Sequence, residues 1–297
     1  MPEVKAALDN CVQAFSKIPP QPQEDGYDCI KEIGSGGYGY VYLLCRQAGS
    51  QRYVAGKFVH RHAFGFPGDP AAGEGYKRAL EGLKNFRSVS IESEYLLRIF
   101  EVRERHDEGY FCYMMELADD IASGPNINAH AYKPRTLKNE LERSGQRRRL
   151  PARRCLEIGI VLARGLQVLH ESGFTHRDVR PSNIIFVDGV PKLADIDLLA
   201  GSDAALPSYI PKDYAAPEGC HSSRADIFSL GKTIYEMCTG LPVKAYPCLP
   251  PEVRHWDDHP AVLDINRIIA NSCTRDLRKR YPSAREMLRD LERISKK

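Results

Sequence analysis

The chain has 297 residues, enough to bury a sizeable core and compatible with one two-lobed domain. Hydrophobic residues make up 42% and charged residues 27%, an ordinary folded composition, and a net charge of +3 is too mild to make nucleic acid the main partner. The nine cysteines are scattered without a CxxC pair, which argues against a disulfide frame or zinc site and for reduced thiols in a cytoplasmic protein; no apolar run is long enough to span a bilayer and no signal peptide is visible.

Residues 1 to about 26 read as an N-terminal extension, a short leading helix and then the linker Ile18-Pro19-Pro20-Gln21-Pro22, whose prolines forbid a regular helix. Strand signals dominate from Tyr27 to Leu117. Cys29 to Ile33, Tyr40 to Cys45 and Tyr53 to Val59 are rich in β-branched and aromatic residues and separated by glycine turns. A Gly/Pro-rich loop is expected over Gly65 to Gly75, a helix over Tyr76 to Phe86, and strands over Leu96 to Val102 and Tyr110 to Leu117. After Leu117 the pattern is helical. Leu156, Ile160, Ala163 and Val168 begin one apolar stripe, Ile227 to Cys238 reads as a buried helix, and Ala284, Met287, Leu288, Leu291 and Ile294 form an amphipathic stripe. A β-rich lobe followed by an α-rich lobe is an α+β architecture, with a cleft between the lobes that favours a ligand.

Four motifs carry chemistry. Gly34-Ser35-Gly36-Gly37-Tyr38-Gly39-Tyr40-Val41 reads G-x-G-x-x-G-x-V, and glycines let backbone N–H groups approach phosphate oxygens. A glycine-rich hairpin without a ligand has the same sequence, but a strand follows where a dinucleotide fold needs a helix. Val54-Ala55-Gly56-Lys57 puts a lysine in a strand, where its charge needs either a partner or a stem that reaches solvent. His176-Arg177-Asp178-Val179-Arg180-Pro181-Ser182-Asn183 supplies a carboxylate able to accept a hydroxyl proton and, five residues on, an amide oxygen able to bind Mg²⁺. Asp195-Ile196-Asp197 follows a short hairpin, as a second oxygen site or as a turn cap.

Together these residues resemble the eukaryotic-like protein kinase catalytic domain of the Ser/Thr type, from about Tyr27 to the C-terminus. Tyr132 to Leu137 and Ile184 to Ala194 also resemble a bacterial branch of it. The resemblance implies a bilobal fold: a small antiparallel β-sheet lobe with one main helix over 27–117, a hinge at about 116–120, and a larger, mostly α-helical lobe over 121–297. It implies ATP and Mg²⁺, with transfer of the γ-phosphoryl group to Ser/Thr hydroxyls of a protein substrate. Asp178 becomes the catalytic aspartate, with Arg180 near the γ-phosphate. Lys57 contacts the α- and β-phosphates, and Asn183 and Asp195 hold the metal. Gly34 to Gly39 lie over the phosphates, and Val41, Ala55 and Ile185 pack on the adenine. Met115 is the gatekeeper, and the Glu116 carbonyl and Ala118 N–H address the adenine edge. His176, Asp226, Glu218 of Ala216-Pro217-Glu218 and its partner Arg280 are structural. A fused domain or regulatory partner is compatible with this reading, which carries no sign of oligomeric state.

The pattern is broken in places. The helix glutamate that pairs with Lys57 is Glu81 or, if Leu83 sets the register, is replaced by Ala79; Glu74 is more distant. Two residues turn a helix by about 200°, so both placements cannot face Lys57. Arg180 stands where Ser/Thr kinases carry lysine, although Pro181 follows as in that class. Asp197 replaces a glycine, and Ile196 takes a phenylalanine's place. Between Asp195 and Glu218 the expected acceptor-contacting threonine is Pro211, the hydroxyls are Ser202, Ser208, Tyr209 and Tyr214, and Arg177 is the expected partner of any phosphate there. Arg143, Arg147, Arg148, Arg149, Arg153 and Arg154 form either a docking site for acidic partners or a solvated face. Ala79 and Asp197 keep open a nucleotide-binding scaffold without turnover. Asp195-Ile196-Asp197 also suggests a small-molecule kinase, a class without Ala216-Pro217-Glu218 and its arginine.

Overall fold

A computed structural model describes residues 22–36, 38–48, 53–65, 70–143, 145–195, 200–201, 212–219 and 222–297. The leading helix, most of the proline linker, Gly37, Ile196, Asp197, Ser202, Ser208, Tyr209 and Pro211 lie outside them.

The first lobe is a five-stranded antiparallel sheet in the order β1-β2-β3-β5-β4, formed by β1 (Tyr27–Gly36), β2 (Gly39–Arg46), β3 (Tyr53–His60), β4 (Ile99–Arg105) and β5 (Tyr110–Met115). Side chains alternate across a strand with period two, and here both faces are covered. Ala55, Val59, Phe111, Tyr113 and Met115 face the main core, while Val54, Phe58, Tyr110, Cys112 and Met114 join Tyr27, Tyr42 and Leu44 in a second cluster. That is why β5 reads as an unbroken apolar run in the sequence.

Helix α1 (Pro70–Ile91) packs on the main face. The sequence places a loop over Gly65 to Gly75, but the helix already begins at Pro70 and carries Gly73 and Gly75 inside it. Proline is tolerated in a first turn, where its missing N–H has no partner to lose. Buried Ala72, Tyr76, Ala79, Leu83, Phe86 and Ser90 recur at helical spacing, and this tertiary face outweighs the low propensity of glycine. A Cβ on Gly75 would approach the Phe64 ring to 3.2 Å, so a small residue suits this position.

The second lobe is built on α3 (Ala152–Glu171) and α4 (Ser223–Thr239), which follow α2 (Leu137–Leu141) and the small β6–β7 hairpin (Glu142–Arg143, Gln146–Arg147). Ser222 caps α4 by accepting the Ala225 N–H, and Gly240 ends it at φ +70°, a left-handed stop that glycine adopts without strain. Helix α5 (His259–Ser272), absent from the sequence reading, packs against α4; α6 (Ala284–Ser295) lies along α3. Between α3 and α4 run β8 (Phe174–Thr175), the hairpin β9–β10 (Ile184–Val187, Val190–Leu193) and β11 (Ala200–Gly201), paired with β8.

Residues just before Tyr27 pack on the first lobe. Pro22 is buried and Glu24 is 5% exposed, set beneath the second apolar cluster. The Glu24 carboxylate accepts from Arg105 Nη2 (2.8 Å), Arg103 Nη1 (3.1 Å), Tyr110 Oη (2.9 Å) and Cys112 Sγ (3.3 Å). Burial pushes its pKa up, but Arg105, Tyr110, Arg103 and Cys112 together pull it below the ordinary glutamate range. Removing one partner from a buried ion pair is costly, so a chain starting at Tyr27, or Glu24→Gln, is expected to lose about 2–3 kcal/mol. Thermal unfolding would register a drop of roughly 5–10 °C. Because the native pKa is depressed, this contribution is complete above the ordinary glutamate range and fades as pH falls through the lowered value, so wild type and Glu24→Gln should converge in acid.

Candidate active site

The roof of the cleft is the β1–β2 turn. A Cβ on Gly39 would meet the Phe58 carbonyl oxygen at 1.9 Å, so this glycine is required by the close approach of β2 to β3. A Cβ on Gly36 would meet nothing within 4 Å, which leaves that space for a ligand. In the sheet register Val41 lies opposite Lys57, and Ala55 lies opposite Met115. Lys57 is only 5% exposed, and its Nζ lies 2.6 Å from Asp195 Oδ1 across the cleft.

The floor is the loop between β8 and β9. Arg177 and Asp195 adopt φ of +69° and +63°, a left-handed conformation that costs a non-glycine residue about 1 kcal/mol or more and persists only where surroundings enforce it. Asp226, at 1% exposure, enforces it for Arg177. Its carboxylate accepts the N–H groups of His176 (2.8 Å) and Arg177 (2.7 Å) and lies 2.8 Å from His170 Nε2. Asp178 is thereby held in place and buried. Its Oδ2 accepts from Asn183 Nδ2 (2.7 Å) and Arg180 Nε (3.1 Å). Oδ1 is buried, lies 2.9 Å from Arg180 Nε and accepts no hydrogen bond among the described residues. Burial pushes the Asp178 pKa up, Arg180 opposes this, and the charge of Asp195 adds to it. Asn183 Nδ2 also donates to the Asp178 carbonyl (3.1 Å), while its Oδ1 receives Ser182 Oγ (3.2 Å).

The back of the cleft is the segment joining the lobes. The Glu116 carboxylate is turned away to Lys192 Nζ (2.7 Å) and the Arg98 N–H (2.9 Å). Its carbonyl and the Ala118 N–H carry no hydrogen bond among the described residues. Roof, back and floor enclose a cavity of about 200 Å³. Gly34, Ser35, Gly36, Val41, Ala55 and Lys57 line it from the sheet; Met115, Glu116 and Ala118 line its back; Asn183, Ile185 and Asp195 line its floor. Tyr38 does not line it; its ring packs on Phe64 at 5.5 Å. Asp178 and Arg180 stand just behind Asn183. Tyr132, Pro134 and Thr136 are among the lining residues that sequence reasoning did not assign to the site. They belong to a stretch whose sequence signals are the resemblance of Tyr132 to Leu137 to a bacterial branch, which names no site residue, and Thr136 as the N-cap of α2.

A family model for the protein kinase domain matches residues 27–288. The chain belongs to the protein kinase domain family. A probable serine/threonine-protein kinase of Clostridium perfringens is 26% identical over 291 residues, 91% of this chain and 38% of that protein. A probable serine/threonine-protein kinase PknB of Lactococcus lactis is 24% identical over 90% of this chain and 42% of its own length. Serine/threonine-protein kinase PknK of Mycobacterium tuberculosis is 28% identical over 75% of this chain and 18% of its own. The chain thus spans less than half the length of these relatives. Its fold matches the crystal structure of the M. tuberculosis PknI kinase domain with a TM-score of 0.63 at 20% identity, over 94% of this chain and all of that one.

Departures from the kinase pattern now have positions. Glu81 is exposed and makes no ion pair among the described residues, whereas Ala79 is 7% exposed on the inward face of α1. The helix glutamate expected at Glu81 is therefore not supplied there; Leu83 does set the register, and Glu74 reaches only toward Arg78. The kinase domain keeps its Glu218–Arg280 pair, with Arg280 only 2% exposed and also donating to the Thr274 carbonyl (2.8 Å). Within the arginine cluster, Arg147 and Arg149 are built into the fold, while Arg153 and Arg154 stay in surface pairs. Arg149 forks onto Asp258 (2.9 and 3.0 Å) over the Trp256 ring, Arg147 meets the buried Glu236, and Arg153 and Arg154 pair with Glu157.

Asp226→Asn replaces a charged acceptor of two backbone N–H groups with one oxygen and one competing donor. It is expected to cost about 2–4 kcal/mol. Hydrogen exchange should show the His176 and Arg177 amides losing protection first, and intact protection there would contradict the anchoring role.

Proposed function

We propose that this chain is the catalytic domain of a serine/threonine protein kinase that transfers the γ-phosphoryl group of Mg·ATP to a protein hydroxyl. The observation that carries this is the meeting of Lys57 and Asp195 over the Asn183–Asp178 pair, beneath a turn with open space at Gly36. ATP fits the remaining features. The free Ala118 N–H and Glu116 carbonyl suit an adenine edge, and Ala55, Val41 and Ile185 supply apolar faces for its ring.

Asn183 and Asp195 offer hard oxygen donors, the chemistry Mg²⁺ prefers. Among the described residues no group of three or more His, Cys, Asp or Glu could hold an ion alone. Magnesium bound there would neutralise charge building on the phosphates. Asp178 would orient the acceptor hydroxyl and take its proton. Lys57 and Arg180 would face the phosphates with positive charge, so positioning and electrostatics do most of the work.

A protein acceptor is favoured because Ala216-Pro217-Glu218 is tied to Arg280 and Tyr214 donates to Glu236, which gives a fixed shelf below the floor. The serine/threonine class rests on Pro181 after Arg180 and on the relatives' names. No described helix is long and apolar enough to cross a membrane. The free thiols and the need for Mg·ATP suit work in the cytoplasm.

Incubation with radiolabelled ATP should give phosphate incorporation in the wild type and a fall of about 10²–10⁴-fold in Asp178→Asn. Mass spectrometry should place the phosphate on serine or threonine. Equal background in both proteins would favour a nucleotide-binding scaffold without turnover.

A further inference from the structure

Residues 119–135 leave the hinge and return to the floor as a closed loop. Asp119 N–H donates to the Phe186 carbonyl (2.6 Å), Arg135 N–H to the Asp119 carbonyl (2.7 Å), and Phe186 N–H to the Arg135 carbonyl (3.0 Å). Asp120, 4% exposed, stitches the interior by accepting from the Ala122 N–H (2.8 Å), Ser123 N–H (3.0 Å) and Lys133 N–H (2.8 Å). The loop presses Tyr132, 3% exposed, against the hinge, where its hydroxyl donates to the Ala118 carbonyl (3.0 Å). Tyr132 and Pro134 form part of the cavity wall.

One side chain ties this loop to the opposite lobe. Lys31 Nζ donates to the His130 carbonyl (2.9 Å) and the Tyr132 carbonyl (3.0 Å). Lys31 stands in β1 between two register shifts, one at Cys29/Lys31 and one at Glu32/Gly34. Each bulge changes which face a residue takes, so the pair re-aims this lysine out of the sheet pattern. The next residues on the strand, Ile33 and Gly34, already line the cavity.

We propose that Lys31 is a positioning residue for the nucleotide: it fastens the 119–135 loop to the glycine-rich roof and so slows nucleotide release. The inference rests on the kinase reading above. The loop and roof flank one mouth of the cavity, and separating them there breaks both Lys31 bonds. Neither bond touches the atoms that react. The effect therefore falls on nucleotide retention and not on transfer.

The probe is N-methylanthraniloyl-ADP with Mg²⁺, chased with ATP in a stopped-flow instrument. Lys31→Met keeps the apolar stem and removes all three donors; it should release the probe about three- to tenfold faster. Its KM for ATP should rise by a similar factor, with kcat within about twofold of wild type. Lys31→Arg, which can still donate to both carbonyls, should recover most of the retention. Tyr132→Phe, which loses the bond to Ala118, should also release faster. Unchanged release in a natively folded Lys31→Met overturns the proposal and leaves the kinase reading intact. So does a fall in kcat that matches the rise in KM. Should Lys31→Met lose its native far-ultraviolet spectrum, Tyr132→Phe carries the test, and unchanged release there overturns it. A wild type that does not bind the probe overturns the kinase reading and this inference together.

Discussion

An ammonium group buried in an apolar strand destabilises a fold unless an anion meets it. Lys57 is in that position, and Asp195 meets it from the other lobe. Much else follows from this contact. It needs β3 in register with β2 and β5 so that the lysine faces the cleft. It needs the chain after β10 to turn left-handed at Asp195 so that its carboxylate points up. It also explains how the lobe can carry Ala79 on the inward face of α1: the lysine is already compensated from below.

Buried carboxylates hold the remainder of the site by accepting backbone N–H groups. Asp226 fixes the His176–Arg177 peptide, and Asp119 takes the Asp188 and Gly189 N–H groups (both 2.9 Å) at the β9–β10 turn. Glu236 receives Arg147, Tyr214 and the Val243 N–H. Charged acceptors make short, strong bonds to amides, and their geometry is rigid because both oxygens are used. The catalytic loop is thus preorganised by residues that never touch a substrate.

What the sequence revealed and what it hid divide along this line. The residues to which the proposed function gives the chemistry, Lys57, Asp178, Asn183 and Asp195, sit in contiguous motifs at fixed spacing and so stand out before any fold is drawn. The helix partner of Lys57 does not, because it depends on the rotation of one helix, and two residues of ambiguity separate an exposed Glu81 from a buried Ala79. The start of α1 was hidden by Gly73 and Gly75, whose local preference is overruled by Ala72 and Tyr76 packing beneath them. Glu24 was assigned to a linker because nothing local marks it. Its four partners lie 79 to 88 residues away, at Arg103, Arg105, Tyr110 and Cys112. Arg147 and Arg149 read as surface charge for the same reason, since Glu236 and Asp258 are distant in sequence.

Besides the covalent hinge, the two lobes are joined at both ends of the cleft, and the two joints differ in kind. At the inner end the Lys57–Asp195 pair engages the two charges that the proposed function assigns to Mg·ATP. On the proposed function, binding the nucleotide would exchange that pair for new ones, lysine to phosphate and aspartate to metal, so little net charge pairing would be lost and the inner joint could yield. At the outer end Lys31 bonds to two carbonyls that have no part in the chemistry, so nothing in the substrate replaces those bonds if they break. Flexibility of the cleft should therefore concentrate at the phosphate end, where the exchange is nearly balanced, while the adenine end stays clamped. On the proposed function a triphosphate would rearrange there around a base held still, which is the order of constraint that phosphoryl transfer by positioning requires.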